Sequence, residues 1–210
     1  MTVLSTMIFK PTSGRRADAT ARAVEIAEVA RECGATAAVA VRVLTGPSVG
    51  DLQVRMYADS LGELGAISNA MYASDFSAKI SAETSPPSEM INVIRSNLVY
   101  RATDAGSATA DATVGTLVGL QVHPGKSDVL RARLVEMADA WLTAGALQAH
   151  VTAAISGTAG PHMYLTAYFK DYSALGSSTT GIQDSRVWQD VQSSTSPSGT
   201  IIGNMHIGKI

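Results

Sequence analysis

Leu52-Gln53-Val54-Arg55-Met56-Tyr57 returns 111 residues later as Met163-Tyr164-Leu165-Thr166-Ala167-Tyr168, and the chain around these two stretches repeats with them. Both alternate with a period of two, the signature of a strand with one face buried. Leu52, Val54 and Met56 match Met163, Leu165 and Ala167, an apolar row expected to lie under helices. Gln53, Arg55 and Tyr57 match Tyr164, Thr166 and Tyr168 on the opposite face. Further out at the same spacing, Gly34 falls on Gly145, Gly46 on Gly157, Leu64-Gly65 on Leu175-Gly176, and Thr84-Ser85-Pro86 on Thr195-Ser196-Pro197. A period this long is not that of a solenoid, so the chain reads as two copies of one small domain.

Two copies give two readings of each element. Leu4–Lys10 and Leu117–His123 are β-like runs, each closed by a proline turn. Helices follow over Ala17–Cys33 and Asp128–Ala144, with Gly34 and Gly145 placed as left-handed C-terminal caps. Ala37–Leu44 and Gln148–Ile155 are strands joined by Gly-Pro loops to the alternating stretches quoted above. Helical regions over Ser60–Glu83 and Tyr172–Ser194 come next, the second interrupted at Thr179-Thr180-Gly181. Met90–Val99 and Thr200–Ile210 close each copy as strands. The order β-α-β-β-α-β is the ferredoxin-like unit. The expected class is therefore α+β: a first repeat over 1–100, a linker over 101–115 rich in Ala, Thr, Ser, Asp and Gly, and a second repeat over 116–210. Helices cover one face of such a sheet and the other must find a partner. Packed sheet to sheet, the two units would form an intrachain pseudo-dimeric barrel with helices outside.

Composition narrows the function. The formal charge of −2 leaves no surplus to hold a polyanion, so no nucleic-acid partner is expected. No apolar run is long enough for a membrane helix, and the first ten residues lack the basic start of a signal peptide. Cys33 stands alone, which excludes an intrachain disulfide. The location expected from this is cytoplasmic. No His-x-x-x-His, His-x-His or Cys pair is present, and no Gly-rich phosphate loop or Gly-x-Ser-x-Gly elbow, so no metal and no cofactor is assigned.

Strand parity selects the candidates. The interior rows are expected to hold Tyr57, Tyr168 and Arg55, with Thr6, Ile8 and Lys10 set against Gly119, Gln121 and His123. Arg95 and Asn97 in the last strand of the first copy are set against Asn204 and His206 in the second. His150 stands at the position of Val39, and the parity of that strand stays open. The candidate set is Tyr57, Tyr168, Arg55, Arg95, His150 and His206: Tyr or His to give or take a proton, Arg to hold developing enolate or phenolate charge. A packed hydrogen-bond network between the sheets is the structural alternative to a ligand pocket.

The Tyr57…Leu64-Gly65 and Tyr168…Leu175-Gly176 features, with the short helical turns Ser74-Asp75-Phe76 and Asp184–Gln189, resemble a tandem member of the dimeric α+β barrel superfamily. That superfamily includes the NIPSNAP-like, antibiotic-biosynthesis-monooxygenase-like and stress-responsive barrel families. The resemblance implies a cofactor-independent oxygenase or isomerase acting on a small hydrophobic or aromatic metabolite in the barrel. It also implies two alternatives, a non-catalytic small-molecule-binding or assembly module and a haem-binding barrel. Each chain would supply both sheets, with further homo-oligomers left open. No motif string of the monooxygenases recurs, so no catalytic residue is carried across.

Overall fold

The computed structural model describes residues 2–83, 91–106, 111–155, 162–194 and 197–210, with backbone alone for 91–106 and 192. The Gly157–Pro161 turn and the two Thr-Ser-Pro signals fall wholly or partly outside these residues. The elements are β1 (Val3–Pro11), α1 (Arg16–Glu32), β2 (Ala37–Val43), β3 (Leu52–Ala58), α2 (Leu61–Ala73), α3 (Asp75–Ala82) and β4 (Ile91–Gly106), then β5 (Val114–Val122), α4 (Ser127–Thr143), β6 (Gln148–Ala154), β7 (His162–Phe169), α5 (Tyr172–Gln183), α6 (Arg186–Ser193) and β8 (Gly199–Lys209). The strands close into one antiparallel barrel in the order β1-β3-β2-β8-β5-β7-β6-β4.

The eight strands close, as expected of two sheets that cover each other. Four strands from each half run consecutively around the wall, and the halves join edge to edge at β2–β8 and β4–β6. Closure removes the exposed strand edges that two separate sheets would carry. The seams are unequal. β4 pairs with β6 from Tyr100 to Gly106, whereas the β2–β8 ladder runs from Val41 to Val43, with single further bonds from Ile210 N to Ala40 O and from Leu44 N to His206 O. Residues 101–106, expected in a linker, are therefore strand, and β5 already begins at Val114. Polar composition misled there, because residues 100–106 find backbone partners in β6.

The helices pack outside. Ala19, Ala23, Ala27 and Ala30 of α1 lie on Leu52, Val54 and Met56. Leu130, Leu134, Met137 and Trp141 of α4 lie on Met163, Leu165 and Ala167, with Trp141 edge-on to the fully buried Phe169 at 5.5 Å. The small alanines of α1 and the large side chains of α4 solve the same packing problem differently. Both helices end alike. Gly34 and Gly145 take φ of 102° and 109°; Ala35 N donates to Ala30 O, and Ala146 N to Trp141 O, the Schellman arrangement. α5 runs unbroken through Thr179-Thr180-Gly181, contrary to expectation; Thr179 and Thr180 turn their hydroxyls back onto Leu175 O and Gly176 O, so they make no competing bonds outside the helix. The break falls instead at Asp184-Ser185, where Ser185 caps α6 by accepting from Trp188 N.

Candidate functional site

Residues directly paired across an antiparallel ladder share a face. Tyr57, Arg55 and Gln53 pair with Leu4, Thr6 and Ile8 on one side and with Ala37, Val39 and Val41 on the other, all facing the barrel interior. Tyr168, Thr166 and Tyr164 pair with Gln148, His150 and Thr152, which settles the parity of β6: His150 faces inward. Part of the interior is apolar, with Val41, Val43 and Ile207 packed together against Val39, Met205 and Tyr168.

The polar part is a connected cluster across the two halves. Arg55 Nη1 donates to Tyr168 Oη at 2.8 Å, while its Nη2 and Nε donate to Gln53 Oε1 at 2.9 and 3.2 Å. Tyr168 Oη lies 3.5 Å from Tyr57 Oη. The His150 ring meets Tyr168 edge-to-face at 5.1 Å and stands 6.4 Å from Tyr57. Arg55 is 3% exposed and His150 5%, so both are held deep in the wall rather than at a wet rim.

A cavity of about 740 Å³ reaches this cluster, with Tyr57, Tyr168, His150 and Gln148 at its inner end. It passes the part of β2 beyond its seam with β8, Ala37–Val39, and continues against Val24 and Ala27 of α1. Arg31 and Lys209 stand at the outer end with Glu28, and Arg31 Nη1 donates to Ala38 O at 2.6 Å, capping that strand edge. Ligand pockets of this volume are normally apolar with a few convergent polar groups, as here.

The remaining candidates are elsewhere. His206 pairs in register with Thr116, whose other neighbour is Ala167 in the helix-covered row, and its ring lies 6.5 Å from Tyr172 at the start of α5. It therefore faces the outside, as does Asn204, paired with Val118. The cause is a pair of strand irregularities. Arg95 pairs with Ile8 before the register shift of β4, whereas His206 lies after the shift of β8, and a bulge reverses which residues face inward. Equal spacing alone could not reveal that reversal. The side chains of Arg95 and Asn97 lie outside the described residues. His123 is not interior either: it is half-buried past the end of β5, bonded to Pro197 O and Thr200 Oγ1. Lys10 is exposed at the end of β1. Gln53 and Gln148 bear on the site yet were not candidates, although the alternation that placed Arg55 inward also placed Gln53 there.

No family model and no curated protein matches the chain. Solved structures do. A "Putative monooxygenase" from Fusobacterium nucleatum superposes with a TM-score of 0.66 at 12% identity, covering 99% of this chain and 91% of that one. An anthrone oxidase-like protein gives 0.57 at 11%, over 100% and 91%. A mutant chlorite dismutase from Candidatus Nitrospira defluvii gives 0.53 at 10%, over 97% and 91%. The fold is that of these α+β barrels. At such identities the likeness is one of fold, and the chemistry has to come from this chain's own interior. No helix among the described residues is long and apolar enough to cross a membrane.

Proposed function

We propose that the chain is a tandem pair of ferredoxin-like units, 1–100 and 116–210, enclosing a pocket for a small hydrophobic or aromatic metabolite, and that it acts there as a cofactor-independent oxygenase or isomerase. The observation that carries this is the convergence of Tyr57, Tyr168 and His150 on one cavity of about 740 Å³, whose wall along β2 and α1 is apolar. The monooxygenase-like and anthrone oxidase-like neighbours lend it support at the level of fold. A step common to both chemistries is enolisation. A C–H bond next to a carbonyl breaks, its proton passes to His150, and the electron pair moves onto the carbonyl oxygen, where a tyrosine hydroxyl holds it.

A haem suits these residues poorly. Among the lining side chains His150 is the histidine available as an axial ligand, and the rings of Tyr168 and Tyr57 occupy the space beside it that a macrocycle would need. Histidine, cysteine and carboxylate groups do not cluster as a metal site among the described residues. Binding without turnover is the competing reading, favoured by the buried and hydrogen-bonded state of Arg55.

A thermal-shift screen of aromatic and polyketide-like metabolites tests the pocket, followed by mass-spectrometric assay of each ligand for isomerised or oxygenated product. Ligands are expected to raise the melting temperature of the parent chain and to lose that effect in Tyr57→Phe and Tyr168→Phe. Shifts that survive both substitutions would place the ligand elsewhere, and binding without product would leave the non-catalytic module.

A further inference from the structure

The interior is not symmetric, although its two tyrosines are equivalent in sequence. Tyr57 and Tyr168 are separated by the 111-residue repeat and bring their hydroxyls to 3.5 Å. Their neighbours differ. At the positions of Arg55 and Val39 in the first half, the second half has Thr166 and His150. Among the described side chains, the guanidinium in this cluster is that of Arg55, and it bonds to Tyr168.

We propose that Arg55 is a positioning residue that acts through Tyr168, and that the pocket consequently selects ligands presenting a hydrogen-bond-accepting oxygen, an aromatic ketone or carboxylate, to the Tyr168 hydroxyl. The inference rests on the pocket reading above. Arg55 does not line the cavity. Its plane is fixed by two bonds to Gln53 Oε1, and its Nη1 then points at Tyr168 Oη. A guanidinium only donates, so Tyr168 is the acceptor in that bond and its own proton must turn elsewhere. The one other partner shown for it among the described residues is Tyr57 Oη, at the outer limit of hydrogen-bond distance. An acceptor oxygen entering the cavity would offer a shorter bond. Because the Tyr168 oxygen is already held by a cation, donation from it is strengthened. Val39 lines the cavity at the sequence position equivalent to His150 and gives the ligand's apolar ring a different surface to rest on. The ligand is thereby given one orientation, which a symmetric pair of tyrosines could not impose.

The test uses the full chain and a panel of mono- and bicyclic aromatic ketones and carboxylates, each paired with the hydrocarbon of the same shape. Affinities are measured by calorimetry, and the Tyr168 ring-carbon signal is followed by NMR on 13C-tyrosine-labelled protein. The oxygen-bearing member of each pair should bind roughly tenfold tighter or better, in line with a charge-assisted hydrogen bond, and should shift the Tyr168 signal. Arg55→Met should remove most of that preference while changing hydrocarbon affinity less than about twofold, and Arg55→Lys should restore part of it. Tyr168→Phe, which keeps the guanidinium, should abolish the preference by itself, with no further loss in the double variant. Equal binding of both members of each pair overturns the inference and leaves the pocket standing. So does an unchanged preference in Arg55→Met, or a parallel fall for ketone and hydrocarbon, which would mark Arg55 as packing. Failure of every compound to bind overturns the pocket reading as well.

Discussion

Arg55 shows how one side chain's environment decides its role. In sequence it is the polar residue between Val54 and Met56, and it reads as a group that would hold charge developing on a ligand. In the fold it is buried, with Gln53 and Tyr168 accepting three of its hydrogen bonds, and stands behind the tyrosine rather than on the cavity. Removing an acceptor from a buried guanidinium leaves a donor desolvated, at a cost of about 1–3 kcal/mol for each group left unsatisfied. Tyr168→Phe removes one acceptor contact and Gln53→Leu removes two. Urea unfolding should therefore show both variants destabilised, with Gln53→Leu the more affected. The reverse order would mean that the clamp from Gln53 contributes little. At this same scale His150 was only half legible: its type suggested chemistry, but its strand's parity needed the pairing of β6 with β7.

At the scale of elements the sequence is legible where local physics governs. Gly34 and Gly145 could be placed as caps because a positive φ at C′ is nearly a glycine property, and both helices end that way. Replacing either by alanine forces a side chain into the left-handed region, at about 1–2 kcal/mol. Gly145→Ala should cost more than Gly34→Ala, because its new Cβ would come within 3.2 Å of Ser178 Oγ, whereas Gly34 faces open space. Ser178 is buried and donates to Ala144 O, so it has little room to yield. Melting temperatures of the two variants check the order; equal losses would show that Ser178 adjusts freely. Long-range pairing was less legible. Residues 101–106 look like linker by composition and are strand because β6 accepts them, and the register shift of β8 turned His206 outward.

At the scale of the whole molecule the two halves depend on each other, since each supplies four consecutive strands and neither closes the barrel alone. A 1–106 fragment would expose the edges of β2 and β4 and the row carrying Arg55 and Tyr57. It should self-associate or precipitate on size-exclusion chromatography with light scattering, and co-expression with 107–210 should restore a folded 1:1 species. A stable, cooperatively folding monomer of 1–106 would contradict the shared interior. The unequal seams also explain the one-sided cavity: seven pairs close β4 on β6, whereas the shorter β2–β8 ladder leaves Ala37–Val39 of β2 beside an opening. What the sequence by itself determined was periodic: the alternation of Leu52–Tyr57 and Met163–Tyr168, with the rows of those two strands that face helices and those that face inward, and the helix caps. These are legible because backbone geometry repeats every two or 3.6 residues and leaves its mark locally. The tertiary structure alone decided the edge-to-edge closure, the bulges that reverse parity, and the placing of Arg55 behind Tyr168 instead of on the ligand. Those outcomes depend on hydrogen bonds between residues about a hundred positions apart, and no local pattern records their register.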